Sequence, residues 1–210
     1  MTFFFKTDPA ARAGMSGMSD LREPIKIAAA DLIRVVHGVR AGHLAEPTPC
    51  ESYDVRGLCN HLLYWGPALH AAARKSEVPP RAAAEESADL VTGDWAARLV
   101  RQTEDLACAL ADPDAWQGGT TMGGGDLPAS MVGEMVLCEF VLHGWDLARA
   151  TGQQLVSTDE TGEAAEMVML GMAEQGRRLQ VFGEAVPVAD SASAFERALG
   201  LSGRSPDWSR

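Results

Sequence analysis

Apolar side chains recur at intervals of three and four through most of the chain, and no run alternates long enough to mark a strand. From Leu21 to Leu44, Ile25, Ala28, Ala29, Leu32, Val35, Val36 and Val39 trace one face of an amphipathic helix that opens after Ser19-Asp20. Pro47-Thr48-Pro49 interrupts the pattern. Asp54 then stands as the N-cap of a second helix carrying Val55, Leu58, Leu62, Trp65 and Leu69. Beyond Pro79-Pro80 and Glu85-Glu86, a long connection, Trp95, Leu99, Thr103, Leu106 and Leu110 predict a third helix ending near Asp112-Pro113. A glycine-rich linker, Gln117 to Asp126, precedes a fourth helix that runs from about Pro128 to Thr151-Gly152. A fifth, rich in methionine, covers about Asp159 to Leu179, and a short one lies around Ala194 to Leu199.

The fold class read from this pattern is all-α, and Ala, Leu, Val and Met, which supply most of the apolar surface, suit helices. The organisation expected is a loose N-terminal extension (1–18), a helical bundle (19–182) and a tail packed on it (183–210). Phe3-Phe4-Phe5 runs at once into Lys6 and Asp8, so no secretory signal is read there.

Charge narrows the partners. Eighteen basic against 29 acidic side chains give a net charge of −11, and no basic stripe exists for tracking phosphates, which argues against nucleic acid. No apolar run approaches the roughly 20 residues that span a bilayer. Cys50, Cys59, Cys108 and Cys138 lack CxxC spacing, which fits a reducing cytoplasm.

Chemistry concentrates on the fourth helix. Val132, Met135, Val136, Glu139, His143 and Asp146 share a face, so ionisable groups continue an apolar stripe that points inward. A buried carboxylate needs a proton, a hydrogen-bond partner or a cation, and Glu and His four apart can aim at one point. His61, bordering the stripe of helix two, is the best-placed third ligand. Two imidazoles and a carboxylate suit Zn2+, and also Ni2+, Fe2+ or Mn2+, with coordination positions left open. A hydrogen-bonded or exposed Glu/His pair is the plainer alternative. Neither HExxH nor the paired Glu-x-x-His of di-iron bundles is present.

Three stretches carry a resemblance. They are Pro47-Thr48-Pro49-Cys50 leading through Tyr53-Asp54-Val55-Arg56 to Asn60-His61-Leu62; the run from Glu139-Phe140-Val141-Leu142-His143 through Gly144-Trp145-Asp146-Leu147-Ala148-Arg149-Ala150-Thr151-Gly152; and Gly203-Arg204-Ser205-Pro206-Asp207-Trp208. Together they resemble an actinobacterial branch of the DinB superfamily, similar to the metal-binding domain of mycothiol-dependent maleylpyruvate isomerase. The resemblance implies a four-helix bundle with a long crossover, an additional C-terminal helix or packed tail, and a metal triad of His61, Glu139 and His143. Tyr53 stands where the family pattern leads one to expect tryptophan. The isomerase also carries a further C-terminal domain that contributes to its substrate site, whereas this sequence continues into a short tail.

The resemblance further implies a low-molecular-weight thiol, mycothiol, as cofactor or co-substrate, with S-transfer to, or isomerisation of, an electrophilic small molecule. An exogenous thiol at an open metal position becomes a nucleophile at neutral pH. Asp146 and Arg149 are expected to orient His143 and to bind an anionic group of the thiol or substrate, or else to form a helical ion pair. Asn60 is expected to brace the site. A metal-dependent hydrolase and a non-catalytic metal-binding stress protein are the competing readings. Trp145 is assigned to packing, Cys50 to a structural role, and Cys59 and Cys138 to directions away from the ligands. His37, His43 and His70 are assigned to the surface or to caps. The Gly123-Gly124-Gly125 run is read as a connector or a flap. A monomer or homodimer is expected.

Overall fold

The computed structural model describes residues 20–78, 80, 83–156 and 158–210, so the expected N-terminal extension lies outside the described residues. Helices α1 (Arg22–Gly38), α2 (Val55–Ala73), α3 (Trp95–Ala111) and α4 (Ala129–Ala150) form the bundle, followed by α5 (Asp159–Arg178) and α6 (Ala194–Leu201). Helix α1 packs on α3 and α4, and α2 packs on the same two, so the order around the bundle is α1, α3, α2, α4. The chain is all-α in class, with long crossovers and an added C-terminal helix, as the hydrophobic pattern predicts. Leu32, Leu58, Leu99, Leu106, Leu137 and Leu147 are wholly buried at its centre.

Local chemistry sets most boundaries. The Asp54 carboxylate accepts from Gly57 N at 2.7 Å and starts α2. Thr158 does the same for Thr161 N in α5, and Ser193 with Glu196 closes a capping box on α6. Helix α1 is shorter than its apolar repeat. It ends at Gly38, a weak helix former, and Val39 turns extended. His43 then caps a short 3-10 turn by accepting from Arg40 N at 3.2 Å.

The glycine-rich linker departs from the sequence reading, which saw no strand. It folds as a hairpin of β1 (Gly119–Met122) and β2 (Gly125–Pro128), with Gly119 opposite Pro128 and Met122 opposite Gly125. Two-residue hairpin turns of this hand need positive φ at both positions, and Gly123 (φ 61°) and Gly124 (φ 83°) provide it without steric penalty. Four-residue strands are too short to show alternation. The hairpin is anchored rather than loose, because Thr120 Oγ1 donates to Ala72 O at 2.7 Å at the end of α2.

Helix α6 lies on α5, joined by a paired Arg197 and Glu166 and by Arg177 Nη1 donating to Leu201 O at 3.0 Å. No helix among the described residues is long and apolar enough to cross a membrane.

Candidate metal centre

The loop before α2 is tied by Thr48, whose hydroxyl donates to Tyr53 O at 2.7 Å, and by backbone bonds from Val55 N to Glu46 O and Arg56 N to Leu44 O. This holds Tyr53 and Cys50 beside the first turns of α2. Seven residues on from Asp54, His61 faces α4, where Glu139 and His143 sit one turn apart.

These three side chains converge. His61 Nε2 is 3.4 Å and His143 Nε2 3.7 Å from Glu139 Oε2, and the two imidazole rings are 5.2 Å apart. Ligand atoms of all three residues lie within 4.8 Å of one another. Glu139 Oε2 is enclosed and makes no hydrogen bond. Such an orphan is costly unless a cation meets it, so the donor set fits a divalent metal, with Glu139, His61 and His143 as the residues that would hold it.

Each imidazole is turned toward that point by a carboxylate on its other nitrogen. His61 Nδ1 donates to Glu85 Oε1 at 2.8 Å. Trp65 Nε1 donates to Glu85 Oε2 at 2.7 Å, and the Tyr53 hydroxyl donates to Oε1 at 3.1 Å. Burial works against the charge on Glu85, but His61, with help from Trp65 and Tyr53, holds its carboxyl at about 2. An ionised carboxylate only accepts, so Nδ1 of His61 carries hydrogen and Nε2 faces Glu139. Burial also opposes a charge on His61, yet Glu139 and Glu85 hold its imidazole up at about 9. A cation bound here takes the place of the second proton.

On the other side, His143 Nδ1 lies 2.9 Å from Asp146 Oδ2. Asp146 is fully buried, and Arg204 grips it with Nε donating to Oδ1 at 2.8 Å and Nη2 to Oδ2 at 2.7 Å. Burial penalises the Asp146 charge, but Arg204 and His143 outweigh it and keep the carboxyl below its ordinary value. Arg204 reaches the site because Gly203, at φ 87°, turns the chain back just past α6.

The centre forms one wall of a cavity of about 640 Å3, open to solvent and running between α2, α4, α5 and the segment 85–89. Met122 enters it from the hairpin. Phe182 rests on Gly176, where a Cβ would come within 2.1 Å of its ring.

The other expected residues are placed as follows. Asn60 lines the cavity and braces the crossover, its Oδ1 accepting from Leu90 N at 2.8 Å. Arg149 does not line the cavity. It is exposed, its guanidinium 5.9 Å over the Trp145 ring and bonded to Trp208 O. Ten residues past Glu139, the helix has carried it about 80° off the ligand stripe. The pairing of Asp146 with Arg149 is likewise replaced by the pairing with Arg204. Trp145 is buried in the core.

Cys50, assigned a structural role with no histidine next to it in sequence, is brought by the loop to where its thiol lies near His143 and Asp146. Asp146 is already engaged by Arg204 on both oxygens, so this second group is a poorer metal site than the first. Burial pushes the Cys50 thiol up. Cys138 was expected to point away but lines the cavity, its Sγ 3.6 Å from Met172 Sδ. Cys59 is buried in the core, which raises its thiol to about 12.

Sequence reasoning missed Glu85 and gave Arg204 no role. The first sits in a crossover without periodicity. The second was visible only as part of the closing Gly203-to-Trp208 motif.

A family model described as the mycothiol maleylpyruvate isomerase N-terminal domain matches residues 25–148. The match contains His61, Glu139, His143 and Asp146 and stops short of Arg149 and Arg204. Comparison with curated proteins and with solved structures gave no match.

Proposed function

The chain belongs to the mycothiol maleylpyruvate isomerase N-terminal domain family, and from that premise we propose that it is a metal-dependent enzyme that brings a small thiol, mycothiol, onto an electrophilic small molecule by S-transfer or by thiol-assisted isomerisation. The observation that carries the reading is the orphaned Glu139 Oε2 between two Nε2 atoms at the wall of an open cavity. Three protein donors leave room for an exogenous ligand, and a cavity of this size admits one. A purely structural ion calls for neither.

His61, Glu139 and His143 would hold the ion, for which Zn2+ would be the best match to the donors, while Glu85 and Asp146 keep both Nδ1 atoms occupied so that Nε2 stays directed inward. A divalent cation lowers the pKa of a thiol that reaches it, which makes that thiol nucleophilic at neutral pH. Trp65 and the methionines of α4 and α5 wall the cavity and shed water from the reacting groups.

Metal-replete protein is expected to conjugate mycothiol to a bimane electrophile, and His61→Ala and His143→Ala are expected to lose that activity. Activity undiminished in both variants, or none in the metal-replete wild type, removes the reading.

A further inference from the structure

The cavity has two unlike walls. Met122, Met135, Leu142, Met172 and Phe182 make one of them apolar. From the start of α2 and the crossover, Asp54, Glu85, Glu86 and Asp89 bring four carboxylates to the lining, three of them (Asp54, Glu86 and Asp89) on solvent-exposed residues, and Glu139 on α4 brings a fifth. Among the described lining residues, the two guanidinium groups are already engaged. Arg56 Nη2 donates to Asp89 at 2.7 Å, and Arg204 grips Asp146. Even with a dication in the triad, the carboxylates of the lining outnumber its positive charges.

A cleft of one sign concentrates oppositely charged or neutral solutes and repels like charge. The methionines add a pliant apolar surface that moulds to varied shapes. We infer that the electrophile taken by this cavity is an uncharged molecule with an apolar body, and that dicarboxylates are turned away by its acidic lining. This rests on the thiol-transfer reading above and goes beyond it by giving the class of acceptor. It also separates this chain's acceptor from maleylpyruvate, a doubly anionic compound.

An activated alkene makes the step explicit. A bond forms between the thiol sulfur and one alkene carbon as the π bond breaks, and the adjacent carbon takes up the proton the thiol gives up. Diethyl maleate and maleate share this skeleton and differ in charge, which makes them the probe pair.

With zinc-loaded protein and mycothiol, each acceptor is measured as rate enhancement over its own uncatalysed addition. The diester is expected to exceed maleate by about tenfold or more. The gap is expected to narrow as salt rises, and to narrow again in the Glu86→Lys, Asp89→Lys double variant, which reverses two charges of the lining and releases Arg56. Equal or greater enhancement of maleate overturns the inference while leaving thiol transfer standing. If neither acceptor is accelerated, ligand-observed NMR titration of each compound alone decides. Binding of the diester without maleate upholds the charge selection although the transfer reading falls. Equal binding, or none, overturns it.

Discussion

The two histidines of the metal centre are held by different parts of the molecule. His143 leans on Asp146, three residues along the same helix, which is sealed in the core and gripped by Arg204 from the chain beyond α6. His61 leans on Glu85, a half-buried residue of the α2 to α3 crossover, steadied by Trp65 and Tyr53. The chemistry is the same, an imidazole Nδ1 donating to a carboxylate. The cost of failure is not. A charge sealed in the core cannot lose its partner without destabilising the fold, whereas a carboxylate near the surface can turn to water. One brace is therefore built into stability and the other mainly into ligand geometry.

The sharpest break in that comparison is Arg204→Ala, which leaves Asp146 buried and uncompensated. It is expected to cost about 3–5 kcal/mol in denaturant unfolding. Replacing the pair together, Asp146→Asn with Arg204→Met, is expected to recover part of that loss, since an apolar partner leaves no isolated charge. Wild-type stability in Arg204→Ala would show that the pair does not hold the fold.

Glu85→Gln addresses the other brace. The amide no longer offers a charge to His61, so metal affinity measured by calorimetry is expected to fall about 10- to 100-fold, with the unfolding midpoint of the metal-free protein little moved. Unchanged affinity would mean that the crossover carboxylate does not position His61.

Gly124→Ala places a Cβ at φ 83° in the hairpin turn and is expected to cost about 1 kcal/mol. A Cβ there meets nothing within 4 Å and so touches neither brace, and metal affinity is expected to be unchanged. The smallest effect is expected from Glu166→Gln, which loosens α6 from α5 and so tests whether the hold on Arg204 depends on that contact. The pair is half-buried at the edge of the surface, with Arg197 the more open partner, so about 0–1 kcal/mol is at stake. Arg197 holds the Glu166 carboxyl below its ordinary value. This contribution is present above the unfolded carboxylate pKa and lost as pH falls through the lowered folded one, and the variant is expected to lack that acid-side slope.

The sequence reveals those parts of the fold in which one helix carries its own signals. Asp54, Pro128, Thr151-Gly152 and the repeat of α4 place their elements within a residue or two, because capping and period are local. The relation of Glu139 to His143 is local in the same way. What stays hidden depends on distance along the chain. Glu85 is 24 residues from His61 across a segment with no period, and Arg204 is 58 residues from Asp146, so no spacing rule pairs them. Arg149 was chosen for Asp146 because it was near in sequence, and the helix rotated it away. The hairpin was missed because four residues are too few to show alternation.

The turn at Gly203 has a consequence for how the molecule reaches its final state. The bundle helices can collapse as soon as they exist, but Asp146 waits for an arginine that arrives only after two more helices have found their places. The entropy of closing the loop from Asp146 to Arg204 is met only once α5 and α6 have docked. Until then the aspartate can stay neutral by keeping a proton, and His143 has no fixed direction. The ability to hold a metal would then appear last in refolding, after helical content has returned, so metal capture would follow completion of the fold rather than its beginning.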